Sequence, residues 1–241
     1  MNSPAPQLQP DDFDPTAYEE RAGELPVGKM TFAEYLVFAD RHPDRGYEYV
    51  GGLVYGTSNG TDAHATIGYN VAASFRPAAR AARCRVYVNS MPVLTPSDPS
   101  YIPDVMVHCG PRPPSVTLYR EHPCLIVEVL SPSTRDVDMG EKLKHYREIE
   151  TLQAYWIIEA TWRCVHRHWR DATGAWQYEP VVGAGTLRVP CLVETVLTLD
   201  EVYEDVDVSR EPPPEPPRPL LLVREPGVEY AAAEDLAAPA R

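Results

Sequence analysis

The stretch Leu125-Ile126-Val127-Glu128-Val129-Leu130 decides the fold prediction, because it is an apolar run interrupted by one acid. A run of Ile, Val and Leu is typical of a strand that is buried on both faces. A carboxylate in such a strand is costly unless it has a partner. Earlier in the chain, Pro103-Asp104 opens a second apolar stretch. Two acids at the edges of adjacent buried strands can converge on a hard cation, so the residues predict a magnesium site and phosphoester chemistry.

Composition favours one folded domain in a reducing compartment. The chain has 241 residues, of which 44% are hydrophobic, enough for a single core plus tails. No apolar run approaches the ~20 residues that a membrane span needs, and the N-terminus lacks the basic and apolar regions of a secretion signal. The five cysteines are an odd number without a CxxC pair, which argues against a disulfide framework or a zinc knuckle. We therefore expect a cytoplasmic protein without a membrane partner.

Acidic residues are concentrated in the two ends of the chain. Residues 1–25 carry six acids and one Arg, and residues 205–241 carry eight acids and four Arg, out of a net charge of −13. Both ends are expected to be disordered, the first from its Pro and acidic content and the second from a Pro-rich run. Residues 220–223 form an apolar island, which we expect to be an apolar patch in a disordered tail; packing on the domain and binding of an unidentified partner stay open. A folded domain over residues 26–204 remains, with a mild negative charge that argues for weak or localised contact with nucleic acid.

Periodicity predicts a mixed α/β domain. Thr31 and Glu34 form a capping box before an amphipathic helix, and Gly51-Gly52 joins two strands of a hairpin. A second helix is expected over 62–83, with Pro77 as a kink or break. Further strands are expected at 86–89, 91–94, 104–107, 125–130, 154–158, 165–169 and 176–178, and further helices at 138–149 and 199–202. Strands between flanking helices predict an α/β sandwich with a mixed central sheet.

Four residues form the candidate site, namely Glu48, Asp104, Glu128 and Lys142. A divalent ion held by carboxylates neutralises phosphate charge and lowers the pKa of bound water, and a nearby lysine stabilises charge in the transition state. Lys142 lies four residues after Asp138 and four before Tyr146, so these three share a helical face.

Simpler roles stay open for each of these positions. Asp104 is also consistent with an acid that opens a strand, and Glu48 with a surface acid of the hairpin. Glu128 is also consistent with a buried acid that pairs with an Arg, and Lys142 with a solvent-exposed helix face. Asp138 fits a helix cap.

These motifs resemble the PD-(D/E)XK nuclease superfamily and, within it, the Uma-two family of restriction-endonuclease-like proteins. The resemblance spans residues ~29–204 and includes the following positions: Tyr47 to Gly52, His64, Pro103 to Val105, Val127 to Thr134, Asp138, Lys142, Tyr146 and Tyr155 to Ile158. It implies a restriction-endonuclease-like fold in which Asp104 and Glu128 are metal ligands and Glu48 lies beside them. One position departs from the superfamily pattern, because Leu130 stands where the lysine is expected. Lys142 is the expected replacement, and Lys144 is the weaker candidate.

We therefore expect an endonuclease that hydrolyses DNA with Mg²⁺, or Mn²⁺ as an alternative ion, held by Glu48, Asp104 and Glu128. A homodimer would suit cleavage of both strands. Two other functions stay open: an inactive nuclease-fold module that binds nucleic acid or a protein, and a hydrolase for another phosphorylated substrate. RNA also stays open as the nucleic acid. His64 fits a structural histidine better than a catalytic one.

Overall fold

The computed structural model describes residues 27–213, except 44, 58, 59, 98, 133 and 193. The helices are α1 Phe32–Arg41, α2 Asp62–Ala81, a π-helical segment Val137–Lys142 that continues into α3 Leu143–Tyr146, and α4 Leu199–Val202. The strands are β1 Tyr47–Val50, β2 Leu53–Gly56, β3 Arg85–Val88, β4 Val93–Leu94, β5 Ser100–Tyr101, β6 Val105–His108, β7 Leu125–Val129, β8 Ala154–Ile158, β9 Cys164–Arg170, β10 Trp176–Val182, β11 Thr186–Arg188 and β12 Val196–Thr198.

A six-stranded sheet in the order β10-β9-β8-β7-β6-β3 forms the centre of the described fold. Its strands pair antiparallel except β7 with β8, which are parallel. A smaller sheet in the order β2-β1-β5-β4 and a β11-β12 pair complete the described strands. The predicted mixed α/β fold is confirmed.

Strand β7 has a different core on each face. Val127 packs with Phe75 of α2 and with Trp156 in one buried cluster. Ile126 packs with Tyr146 of α3 in the other. Because side chains alternate across a strand, Glu128 lies on the face of Ile126, toward the π-helical segment. Burial of every side chain of β7 explains why its sequence is almost entirely apolar.

Most of the local sequence signals correspond to helices, strands and turns that the structure contains. Thr31 and Glu34 form the capping box, with the Thr31 N–H donating to the Glu34 carboxylate at 2.7 Å. Gly51 and Gly52 have φ values of 58° and 86°, as a tight hairpin turn requires. Helix α2 continues past Pro77 to Ala81, so a break at this proline is wrong. The short strands β5, β11 and β12 were not predicted, because two or three residues carry too little periodicity.

The expectation that the cysteines form no disulfide framework is wrong in this structure. Cys84 is joined to Cys109, and Cys124 to Cys191, while Cys164 is free and buried. Sequence spacing does not show these pairs, because the sheet brings together residues that are far apart in the chain.

Two further predictions concern the N-terminal and C-terminal parts of the chain. The 1–25 segment and the 220–223 island lie outside the described residues. The ordered chain continues past residue 204, because Val206 and Val208 pack on the core and the Arg163 N–H donates to the Ser209 carbonyl at 2.7 Å. None of the described helices has both the length and the apolar surface needed to cross a bilayer.

Candidate functional site

Asp104 and Glu128 meet where β6 begins and β7 ends. The two strands are antiparallel neighbours, so the residue before β6 lies beside the end of β7. The Asp104 N–H donates to Glu128 Oε2 at 3.2 Å, and the Val129 N–H donates to Asp104 Oδ2 at 2.7 Å. The structure therefore brings together the two acids that the sequence placed at the edges of adjacent strands.

Lys142 reaches these acids from the π-helical segment. Its Nζ lies 3.1 Å from Glu128 Oε1, 3.0 Å from Glu48 Oε1 and 3.0 Å from Asp138 Oδ1. Only 4% of Lys142 is exposed, so a solvated helix face is excluded for it. Lys144 is exposed, whereas Lys142 contacts the carboxylates, which leaves Lys142 as the lysine of the site. π-Helical turns often occur at functional sites, because they redirect side chains.

Leu130 explains why the lysine comes from the helix. It is two residues after Glu128, on the same face of the strand. It packs in the buried cluster of Ile126 and Tyr146. A charged side chain there would enter an apolar core, whereas Lys142 enters between carboxylates.

Glu48 comes from the smaller sheet, not from the central one. It lies in β1, and its Oε1 accepts a hydrogen bond from the Ile102 N–H at 3.2 Å. Its contact with Lys142 joins the two sheets at the site. It is 7% exposed, so the surface-hairpin alternative is excluded for Glu48.

Asp138 and two tyrosines belong to the same cluster, which was only partly predicted. Asp138 is 2% exposed and pairs with Lys142, so it is more than a helix cap. The i, i+4 spacing of the pair was the sequence signal. The Tyr146 hydroxyl donates to Glu128 Oε1 at 3.1 Å. The ring of Tyr101 lies 5.5 Å from Lys142 Nζ, a contact that no sequence motif indicated.

His64 stands at the open side of the site, in the first turn of α2. Its Nε2 lies 3.2 Å from Asp104 Oδ2, and the two side chains are 17% and 15% exposed. Burial lowers the pKa of His64, but the hydrogen bond and charge of Asp104 outweigh it, so the pKa is raised. Among the site residues, Asp104 and His64 are therefore the ones that solvent reaches most easily.

Negative charge exceeds positive charge in this cluster. Three carboxylates, those of Glu48, Glu128 and Asp138, contact the Lys142 ammonium. A fourth, that of Asp104, pairs with His64. Burial raises the pKa of Glu128 well above its usual value, although Lys142 opposes this shift. Burial lowers the pKa of Lys142, but the three carboxylates prevail and raise it well above the usual value. The lysine therefore stays charged.

The carboxylates are donors of the type that a hard divalent ion binds, although in the described residues no three of these side chains bring their oxygens within 4.8 Å of one another. Such ions prefer carboxylate oxygens, and the excess negative charge of the cluster is what a divalent cation would neutralise. Asp104, Glu128 and Glu48 are the residues that could hold it, with Asp104 at the solvent-accessible side.

Comparisons with known proteins agree with this fold. A family model described as "Uma2: Putative restriction endonuclease" matches residues 32–200. The chain is 30% identical over 152 residues to an uncharacterized protein of Synechocystis sp., covering 63% of this chain and 80% of that protein. It is also similar to the crystal structure of a "putative nuclease belonging to DUF820" from Anabaena variabilis, with a TM-score of 0.56 and 17% identity over 66% of this chain and 90% of that one. This last similarity concerns the fold alone.

The family match spans the residues that build the site, from α1 through Lys142 to α4. The chain therefore belongs to the Uma2 family, with the restriction-endonuclease-like fold.

Proposed function

We propose that the protein is a metal-dependent endonuclease that hydrolyses phosphodiester bonds of DNA. The proposal rests on the convergence of Glu128 and Glu48 on one buried lysine, with Asp104 held beside Glu128. Mg²⁺ is the proposed ion, with Mn²⁺ as an alternative, and these three carboxylates would hold it. When bound, the ion would supply Lewis-acid stabilisation of the phosphate and a more acidic water.

The chain's own residues supply position and charge. Lys142 is kept protonated by its carboxylates and so provides a fixed positive charge near the scissile phosphate. The Val129 N–H and the Asp104 N–H hold the two central carboxylates in place, which limits their reorganisation. His64 lies at the side where substrate would approach Asp104.

DNA as the substrate is supported by the family description and by the chemistry of the site. The negative charge of the domain limits nonspecific attraction to a polyanion, so binding would depend on the ion itself. A homodimer would supply one site for each strand of a duplex. We place this activity in the cytoplasm, where DNA is accessible.

An inactive nuclease-fold module is the second candidate. Lys142 is tied to three carboxylates, and Leu130 occupies the usual lysine position. Both observations fit a cluster that only stabilises the fold. Calorimetric titration separates the candidates, because a fold-stabilising cluster without metal affinity gives no heat with millimolar Mg²⁺ or Mn²⁺.

The direct test is cleavage of plasmid DNA by the purified full chain with Mg²⁺, Mn²⁺ or a chelator. Asp104→Asn and Glu128→Gln keep the shape of each side chain and should lower the rate by more than about 100-fold, since a lost metal contact is worth several kcal/mol. Glu148→Gln, at an exposed position after α3, is the matched control and should cut like the parent.

Thermal unfolding of each variant shows whether a lost rate reflects a lost fold. Equal cleavage by Asp104→Asn, Glu128→Gln and the parent would assign the activity to a contaminant. Metal binding without cleavage of DNA would favour RNA or another phosphorylated substrate.

A further inference from the structure

Four cysteines converge at the end of β6 that is farther from Asp104. Arg85 of β3 pairs with His108 of β6, so Cys84 and Cys109 lie one step beyond this pair. Cys124 lies one step before β7, and its N–H donates to the Val107 carbonyl at 2.9 Å. The fourth cysteine, Cys191, comes from the segment between β11 and β12. Four separate parts of the chain thus contribute one sulfur each.

Three of the four sulfurs share one small volume, and that of Cys84 adjoins them through its bond to Cys109. The structure joins them as two disulfides, Cys84–Cys109 and Cys124–Cys191. The two disulfides also touch each other, with Cys109 Sγ 3.5 Å from Cys124 Sγ. The sulfurs of Cys109, Cys124 and Cys191 all lie within 4.8 Å of one another.

Three sulfurs this close, with a fourth bonded to one of them, approach the arrangement of a tetrahedral thiolate site. Zn–S bonds of ~2.3 Å place neighbouring sulfurs about 3.8 Å apart, close to the 3.5 Å between Cys109 and Cys124. Cys84 and Cys124 are buried, whereas Cys109 is exposed and gives an ion a path to the site. Thiolates select soft or borderline ions, whereas the carboxylate site suits hard ones.

We propose that the reduced chain binds one Zn²⁺ through Cys84, Cys109, Cys124 and Cys191. Reduction of each disulfide takes two electrons and two protons from a thiol reductant, which leaves as its own disulfide. Zn²⁺ then replaces the thiol protons, which are released to solvent. The ion would tie β3, β6 and β7 to the β11–β12 segment, so the site is structural and does not depend on the proposed nuclease function.

The test uses the full chain, purified under reducing conditions in the absence of oxygen and loaded with Zn²⁺ alone. Elemental analysis should find about one Zn²⁺ per chain. Replacement by Co²⁺ should give the thiolate-to-cobalt charge-transfer band and the visible bands of a tetrahedral site. Cys191→Ser should weaken Zn²⁺ binding by more than about 100-fold, because even changes around a ligand weaken binding 10- to 100-fold. Cys164→Ser, at the free and buried cysteine, is the matched control and should bind like the parent.

A variant of the carboxylate site tests the zinc site independently of the proposed nuclease function. Asp104→Asn should keep the Zn²⁺ and the cobalt charge-transfer band, so failure of the nuclease proposal would leave this one intact. A reduced parent chain that holds no stoichiometric Zn²⁺ would overturn the proposal. So would a Cys191→Ser variant that binds as tightly as Cys164→Ser.

Discussion

Replacing Lys142 tests whether the buried ammonium balances the charge of the site. Lys142→Met keeps most of the length and volume of the side chain while removing its charge. Three carboxylates then remain within the space that one ammonium neutralised at 3.0–3.1 Å. Because the group is 4% exposed, water cannot take over its role.

The expected loss is large. Removing one partner of a buried ion pair costs about 3–5 kcal/mol in the free energy of unfolding. For a domain of this size, 1 kcal/mol corresponds to about 2–4 °C, so the unfolding midpoint should fall by about 6–20 °C. Lys144→Met is the matched control, because Lys144 is exposed two residues later, and it should change stability by less than about 0.5 kcal/mol.

A double variant distinguishes charge from packing. Glu128→Gln removes one of the carboxylates that Lys142 contacts. Its loss and that of Lys142→Met should therefore not add, with a coupling of about 0.5–3 kcal/mol. The assay is urea unfolding of the four proteins in the cycle without divalent ions. If Lys142→Met is as stable as Lys144→Met, or if the two losses simply add, the ammonium does not balance these carboxylates.

Two further predictions concern parts of the fold outside the site. Burial raises the pKa of Glu159, but hydrogen bonds from His166 and Arg135 outweigh burial and lower the pKa to about 2. The stability that this shift provides is present above pH 4.5, the ordinary pKa of a Glu carboxyl. It is lost as the pH falls toward about 2. Because Arg135 is half-exposed, this contribution to the free energy of unfolding is about 1–3 kcal/mol. In acid unfolding curves, the stability difference between the parent and Glu159→Gln should therefore shrink as the pH falls from 4.5 toward about 2. A difference that stays constant over this pH range would contradict the prediction. Phe75→Ala should lower the free energy of unfolding by about 3–5 kcal/mol, because the ring is fully buried against Trp156. A loss below about 1 kcal/mol in urea unfolding would show that Phe75 is not packed in the core.

Local signals in the sequence were enough for the elements that carry the site. The apolar run around Glu128 and the stretch after Asp104 predicted two neighbouring buried strands, and these strands pair as β6 and β7. The spacing of Asp138 and Lys142 predicted a shared helical face, and the two side chains form an ion pair.

Features that depend on tertiary pairing were not predictable in the same way. Glu48 lies in a separate sheet, which one hairpin motif cannot indicate, and the cysteine cluster depends on the registers of β3, β6 and β7. The π-helical geometry of the segment that bears Lys142 was missed as well, because its sequence reads like an ordinary helix. The first two features depend on contacts between residues that are distant in the chain. The third depends on the local backbone geometry of the helix.

A crystal structure of the full chain soaked in Mn²⁺, with the ion located by anomalous scattering, tests whether Asp104, Glu128 and Glu48 hold one divalent ion. We expect one ion with carboxylate oxygens of all three residues within about 2.0–2.6 Å and with Lys142 still beside Glu128. An ordered crystal that binds Mn²⁺ elsewhere, or not at all, with Lys142 still bridging the carboxylates, would contradict it.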